Sequence, residues 1–86
     1  MPTISYFYGI YIRIYAEDHN PPHFHVKYNN FEASVEIESG LITAGKLPPK
    51  ARALTEEWRL MHQKELFVAW DLMIKYHQVK KIPGLK

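Results

Sequence analysis

The chain has no cysteine in its 86 residues. No disulfide can staple it, and no zinc site can be built from thiolates. Charge of one sign is also scarce: eleven Lys and Arg against nine Asp and Glu leave a formal +2. That is too mild for the strongly basic footprint of a dedicated DNA-binding domain. No apolar run approaches the length of a membrane span. The opening "MPTISYFYGIYIRIY" lacks the basic start of a secretory signal, and Arg13 interrupts its apolar residues. These absences point to a cytoplasmic protein with no membrane association. Repeats and low-complexity segments are missing too.

Apolar residues make up 47% of the chain and aromatic residues 14%, enough for one packed core. The length suits a single domain over residues 1–86. A core this small is marginal without staples, so a homodimer or a partner protein is expected.

The apolar period is near two before "KLPPKARAL" and near 3.6 after it. Strands first and helices second predict an α+β fold. The expected architecture is an antiparallel meander of three to four strands over roughly 3–45. Two C-terminal helices over roughly 48–77 then pack on one face, and a basic flexible tail covers 78–86.

In "ISYFYGIYIRIY", Ile4, Tyr6, Tyr8, Ile10, Ile12 and Ile14 share one parity, which favours a single bent strand with Gly9 at a bulge. A hairpin at Tyr8-Gly9 would set Ile4 against Arg13 and Ser5 against Ile12, a poor match. The Asn29-Asn30 pair tolerates the positive φ of a tight hairpin turn. That turn sets Tyr28, Val26 and Phe24 opposite Phe31, Ala33 and Val35 on one side. On the other side Lys27, His25 and His23 face Glu32, Ser34 and Glu36. Apolar meets apolar throughout, and a slip of one residue would mix every pair. A further turn at Ser39-Gly40 would pair Ile37 with Ile42, Glu36 with Thr43 and Val35 with Ala44.

Pro48 and Pro49 suit the first turn of a helix. Leu54, Trp58 and Met61 form one apolar stripe; Leu66, Trp70 and Met73 form another, out of phase with the first. Two helices, or one sharply bent, with the change between His62 and Glu65, account for the offset.

The stretch "EDHNPPHFHVKYNNFEA" carries three histidines, and three readings of it compete. In the first, Asn20-Pro21-Pro22 is a rigid loop, and His23 and His25 are the solvent side of a strand. In the second, the two imidazoles share one strand face and bind a divalent metal such as zinc, completed by His19, Asp18, Glu36 or His62. In the third, no cofactor is needed: His23, His25 and Glu36 supply acid–base chemistry for cleaving RNA. Arg13 would then grip phosphate, while Tyr11 and Tyr15 stack on unpaired bases. Asp18, His19, Asn20 and Lys27 would complete the binding surface.

The fragments "FYGIYIRIY", "EDHNPPHFHV", "LPPKA", "EEW" and "HQKEL", followed by Trp70, resemble a small bacterial family, domain-of-unknown-function family 4160. The resemblance begins at "MPTIS" and runs over nearly the whole chain; "DHNPPHFH" is its specific part. Its pattern falls on Asp18, His19, Asn20, Pro21, Pro22, His23, Phe24 and His25, then on Trp58, His62, Glu65, Leu66 and Trp70. The resemblance implies a compact α+β domain of the bacterial cytoplasm and brings no established activity. It also implies a small partner protein encoded by a neighbouring gene, in an arrangement similar to toxin–antitoxin pairs. The function expected is therefore that of a two-gene-module domain cleaving RNA without metal. The alternatives are a non-enzymatic protein- or nucleic-acid-binding regulatory domain, or a divalent-metal domain through His23 and His25.

Overall fold

Asn29 takes a left-handed backbone conformation, φ 51°, and reverses the chain between two strands whose register is the one the sequence predicts. Tyr28 faces Phe31, Phe24 faces Val35, and His23 faces Glu36. The computed structural model describes residues 3–86; Met1 and Pro2 lie outside the described residues. The elements are β1 (Thr3–Phe7), β2 (Ile10–Arg13), β3 (His23–Tyr28), β4 (Phe31–Glu36), β5 (Ile42–Gly45) and α1 (Pro49–Tyr76). The strands form one antiparallel meander in chain order. Strand alternation sends Ile10, Ile12, Phe24, Val26 and Val35 to a core shared with Trp58, Leu66, Ala69 and Met73 of the helix. The opposite sheet face carries the histidines.

The sheet has five strands rather than three to four, because the segment expected as one bent strand is a hairpin. Tyr8 and Gly9 both take positive φ, as a tight two-residue turn requires. The poor match at the strand ends is absorbed by a bulge. Thr3 faces Arg13 and Ser5 faces Ile12, with Ile4 as the extra residue between them. Both Ile4 and Ser5 are thereby buried.

The β4–β5 register also differs from expectation. Val35 faces Ile42 and Ser34 faces Ala44. The reversal is wider than a two-residue turn: the Glu36 amide donates to the Leu41 carbonyl, and Gly40 donates to Glu36. Ile37 is drawn to the other neighbour, its amide donating to the Pro22 carbonyl.

One helix replaces the two expected. It bends at His62 (φ −121°, ψ 22°), inside the interval the two stripes indicate. Pro49 occupies its first turn, as predicted. Met61 lies just before the bend and is exposed, so it does not share the core stripe of Trp58. The tail expected to be loose is packed along β1. Ile82 is buried and its amide donates to the Ile4 carbonyl at 2.8 Å. The Trp58 indole donates to the Pro83 carbonyl at 2.8 Å. An edge strand has open backbone groups, and a buried indole N–H needs an acceptor; the tail supplies both.

A clamp fastens the β4–β5 reversal to the helix. Arg59, almost fully buried, donates to the carbonyls of Ile37 at 2.8 Å and Glu38 at 3.0 Å. It also grips both carboxylate oxygens of Glu56, and Gln63 donates to the same two carbonyls. Arg59→Met is expected to lower stability by about 2 kcal/mol in urea unfolding, since the charged hydrogen bonds to the buried Ile37 carbonyl and to Glu38 are lost. The hydrogen bonds from Arg59, aided by its charge, hold the Glu56 carboxyl below its usual range against the opposing effect of burial. A folded value below the unfolded one gives stability that is present at neutral pH and lost as pH falls through the folded value. Urea midpoints measured from neutral to acid pH should fall more steeply in the parent chain than in Glu56→Gln.

Candidate metal centre

Alternation along β3 puts Phe24 and Val26 in the core and leaves His23, His25 and Lys27 on the outer face. The chain reaches that strand through a connection that folds back on itself. The Asp18 amide donates to the Tyr15 carbonyl at 3.1 Å, and the Tyr15 amide donates to Asp18 Oδ2 at 2.9 Å. This reciprocal turn aims the carboxylate at the sheet. His25 Nε2 lies 3.0 Å from Oδ1 and 3.1 Å from Oδ2 of Asp18, and His23 Nε2 lies 3.6 Å from Oδ1. Side-chain exposures of 12% for Asp18, 17% for His23 and 29% for His25 leave all three reachable but largely dehydrated.

Both rings are braced. The His23 ring stands edge-on to His25, centroids 5.1 Å apart, and also packs on Trp70 at 5.3 Å. Tyr15 leans on His25 at 4.8 Å. Hydrogen bonding then sets the tautomer of His23. Its Nδ1 is 2.9 Å from the Pro21 carbonyl, which can only accept, so Nδ1 carries the proton. A neutral His23 therefore turns the bare lone pair of Nε2 toward the Asp18 carboxylate. Two acceptors facing each other at 3.6 Å repel unless a proton or a cation stands between them.

The carboxylate that meets the histidines is Asp18, not Glu36. Glu36 does face His23 in the strand register, but its Oε1 accepts from Ser39 Oγ at 2.6 Å. It lines a hollow beside the centre together with Asp18, His19 and Asn20. Arg13 lies beside His25 on the neighbouring strand, as expected. Its Nε donates to Thr3 Oγ1 at 3.3 Å, and its guanidinium sits 5.3 Å from the Tyr11 ring centre. Lys27 pairs with Glu32 at 3.3 Å. His62 belongs to the helix bend, where Nδ1 meets Glu65 Oε1 at 2.6 Å and the ring packs on Trp58.

Sequence reasoning passed over Tyr6, which is exposed and packs against Tyr11 with ring centres 4.7 Å apart. Its place opposite Tyr11 follows from the unexpected hairpin.

Among the described residues, Asp18, His23 and His25 form a group able to hold a metal ion, one donor atom from each lying within 4.8 Å of the others. A family model described as a domain of unknown function, DUF4160, matches residues 9–71. The chain belongs to that family. The matched region contains the whole histidine connection and both sides of the helix bend. No curated protein and no solved structure matches the chain. Among the described residues of this DUF4160 domain, no helix is long and apolar enough to cross a membrane.

The tautomer assignment is directly measurable. Long-range ¹H–¹⁵N NMR correlations should find the proton of neutral His23 on Nδ1, where a free histidine favours Nε2. A neutral His23 protonated on Nε2 would remove the lone pair from the centre.

Proposed function

We propose that this domain binds one divalent first-row metal ion, zinc being the reference case, through Asp18, His23 and His25, and uses it for hydrolysis. The observation that carries the reading is the convergence of two imidazole Nε2 atoms and one carboxylate oxygen on a single point of the outer face. Two ligands bonded tetrahedrally to zinc lie about 3.3 Å apart. The Asp18–His25 and Asp18–His23 separations, 3.0 and 3.6 Å, lie on either side of that value. Two histidines and one carboxylate are a common ligand set for catalytic zinc and non-haem iron, and leave positions open for water or substrate.

The surrounding contacts support the same reading. Metal-bound histidines usually pass their second N–H to a carbonyl or hydroxyl, which fixes the ring. His23 has the Pro21 carbonyl for this purpose, and His25 Nδ1 lies 3.4 Å from Ser34 Oγ. The Tyr15 amide occupies Asp18 Oδ2 and leaves Oδ1 for a cation. On binding, His25 must give up the Nε2 proton now directed at Asp18 and carry its proton on Nδ1, toward Ser34. A water held at an open position would be acidified toward neutrality and supply hydroxide.

Calorimetric titration of the chelator-treated chain with Zn²⁺ tests this. One ion per chain is expected, with affinity at least ~30-fold weaker in Asp18→Asn and His25→Ala, since each removes a ligand. At free zinc near 100 times Kd the chain should gain about 2.7 kcal/mol of stability, reversed by chelator. His62→Ala should bind zinc as the parent does. Absence of saturable binding, or equal binding by the three altered chains, would contradict the reading. Histidine-dependent RNA cleavage persisting in chelator would favour the metal-free alternative.

A further inference from the structure

We infer that the outer sheet face beside this centre binds single-stranded nucleic acid, with one phosphodiester directed to the metal. The position of that phosphodiester rests on the metal reading above; the strand-binding surface does not. The two sides of the histidine pair differ in charge. One is a hollow of about 410 Å³ whose lining includes Glu17, Asp18 and Glu36. The other is a hollow of about 250 Å³ lined in part by Arg13, Tyr15, His25, Lys27 and Glu32. Only the second offers a cationic surplus, so an anionic group is steered there.

Arg13 is held ready for an anion. Its Nε is tied to Thr3 Oγ1 and its plane lies by Tyr11. Among the described residues, neither of its terminal nitrogens donates to a protein acceptor, which leaves the end of the fork open for phosphate oxygens. Register places Arg13 directly across from His25, and Tyr11 directly across from Lys27. Phosphate at Arg13 would therefore lie one strand away from a metal ligand.

Beyond Arg13 the face turns aromatic. Tyr6 and Tyr11 are 56% and 40% exposed and lie side by side, with no helix covering them. Exposed rings beside an arginine form the stacking platform on which unpaired bases rest, and every base has a π-face to offer. A duplex hides those faces, and a net charge of +2 is small for binding one through its backbone. An acidic peptide could satisfy Arg13 but would leave the tyrosine pair unused. Hydrolysis at the centre would add the hydroxide of a water to phosphorus and break the bond to the departing sugar oxygen. That oxygen would take up the water's remaining proton.

The test is fluorescence anisotropy with labelled twelve-residue oligouridine and oligothymidine, on zinc-loaded and on chelator-treated protein. Saturable binding is expected in both states, weakened about tenfold in Arg13→Ala and about fivefold or more in Tyr11→Ala. Arg13→Lys keeps the charge without the fork and should fall between parent and Arg13→Ala. Zinc affinity should be unchanged in all three variants. Parent-like binding by both alanine variants would overturn the inference, as would equal affinity for a duplex or equal competition by polyglutamate. Zinc binding without strand binding would defeat this inference and leave the metal centre standing. Strand binding that depends on Arg13 without zinc binding would do the reverse.

Discussion

The Asp18 carboxylate is held from two directions at once: the Tyr15 amide donates to Oδ2, and the ring of His25 meets both oxygens. The meeting of Asp18 with His23 and His25 on the outer face depends on that constraint. A free aspartate at this place would swing into solvent, where a carboxylate is best hydrated. Tied into a turn with Tyr15, it is kept about as dry as the rings it faces. The turn follows directly on Ile14, which is fully buried, so the carboxylate is anchored to the core by a very short length of chain.

The fold serves that arrangement by dividing the sheet cleanly. The helix takes one face and packs Trp58, Leu66 and Trp70 into it; the tail takes the edge of β1. What remains open is the histidine face, with arginine and tyrosines on one side of the centre and carboxylates on the other. The bend at His62 lets the second half of the helix present a stripe of its own, and that stripe brings Trp70 against His23. Arg59 and Gln63, from the first half and the bend, fix the chain just past β4 by the carbonyls of Ile37 and Glu38. The hydrophobic and polar layers thus stiffen the same strand ends.

How much of this the sequence carries differs from place to place. The β3–β4 register was legible because every cross-strand pair would change character on a one-residue slip. The outward direction of His23 and His25 followed from it. The first hairpin was hidden because a bulge at Ile4 breaks the strict alternation on which pattern reading depends. The β4–β5 pairing was misread because Ile37 bonds back to Pro22, a long-range choice with no local signal. Register alone suggested Glu36 as the acidic partner. Side-chain competition decided otherwise, since Ser39 is three residues away and takes that carboxylate, while a turn of the same span delivers Asp18. Composition marked the tail as loose, but an indole needing an acceptor and an open strand edge hold it in place.

The central claim is that one cation sits among two imidazoles and one aspartate on the sheet face. X-ray absorption at the zinc edge of the loaded protein measures that coordination most directly. The account predicts a first shell of nitrogen and oxygen at about 2.0–2.1 Å with outer-shell scattering from two imidazoles. That scattering should fall to one imidazole in His25→Ala. A first shell with no imidazole contribution, or one that His25→Ala leaves unchanged, would contradict it.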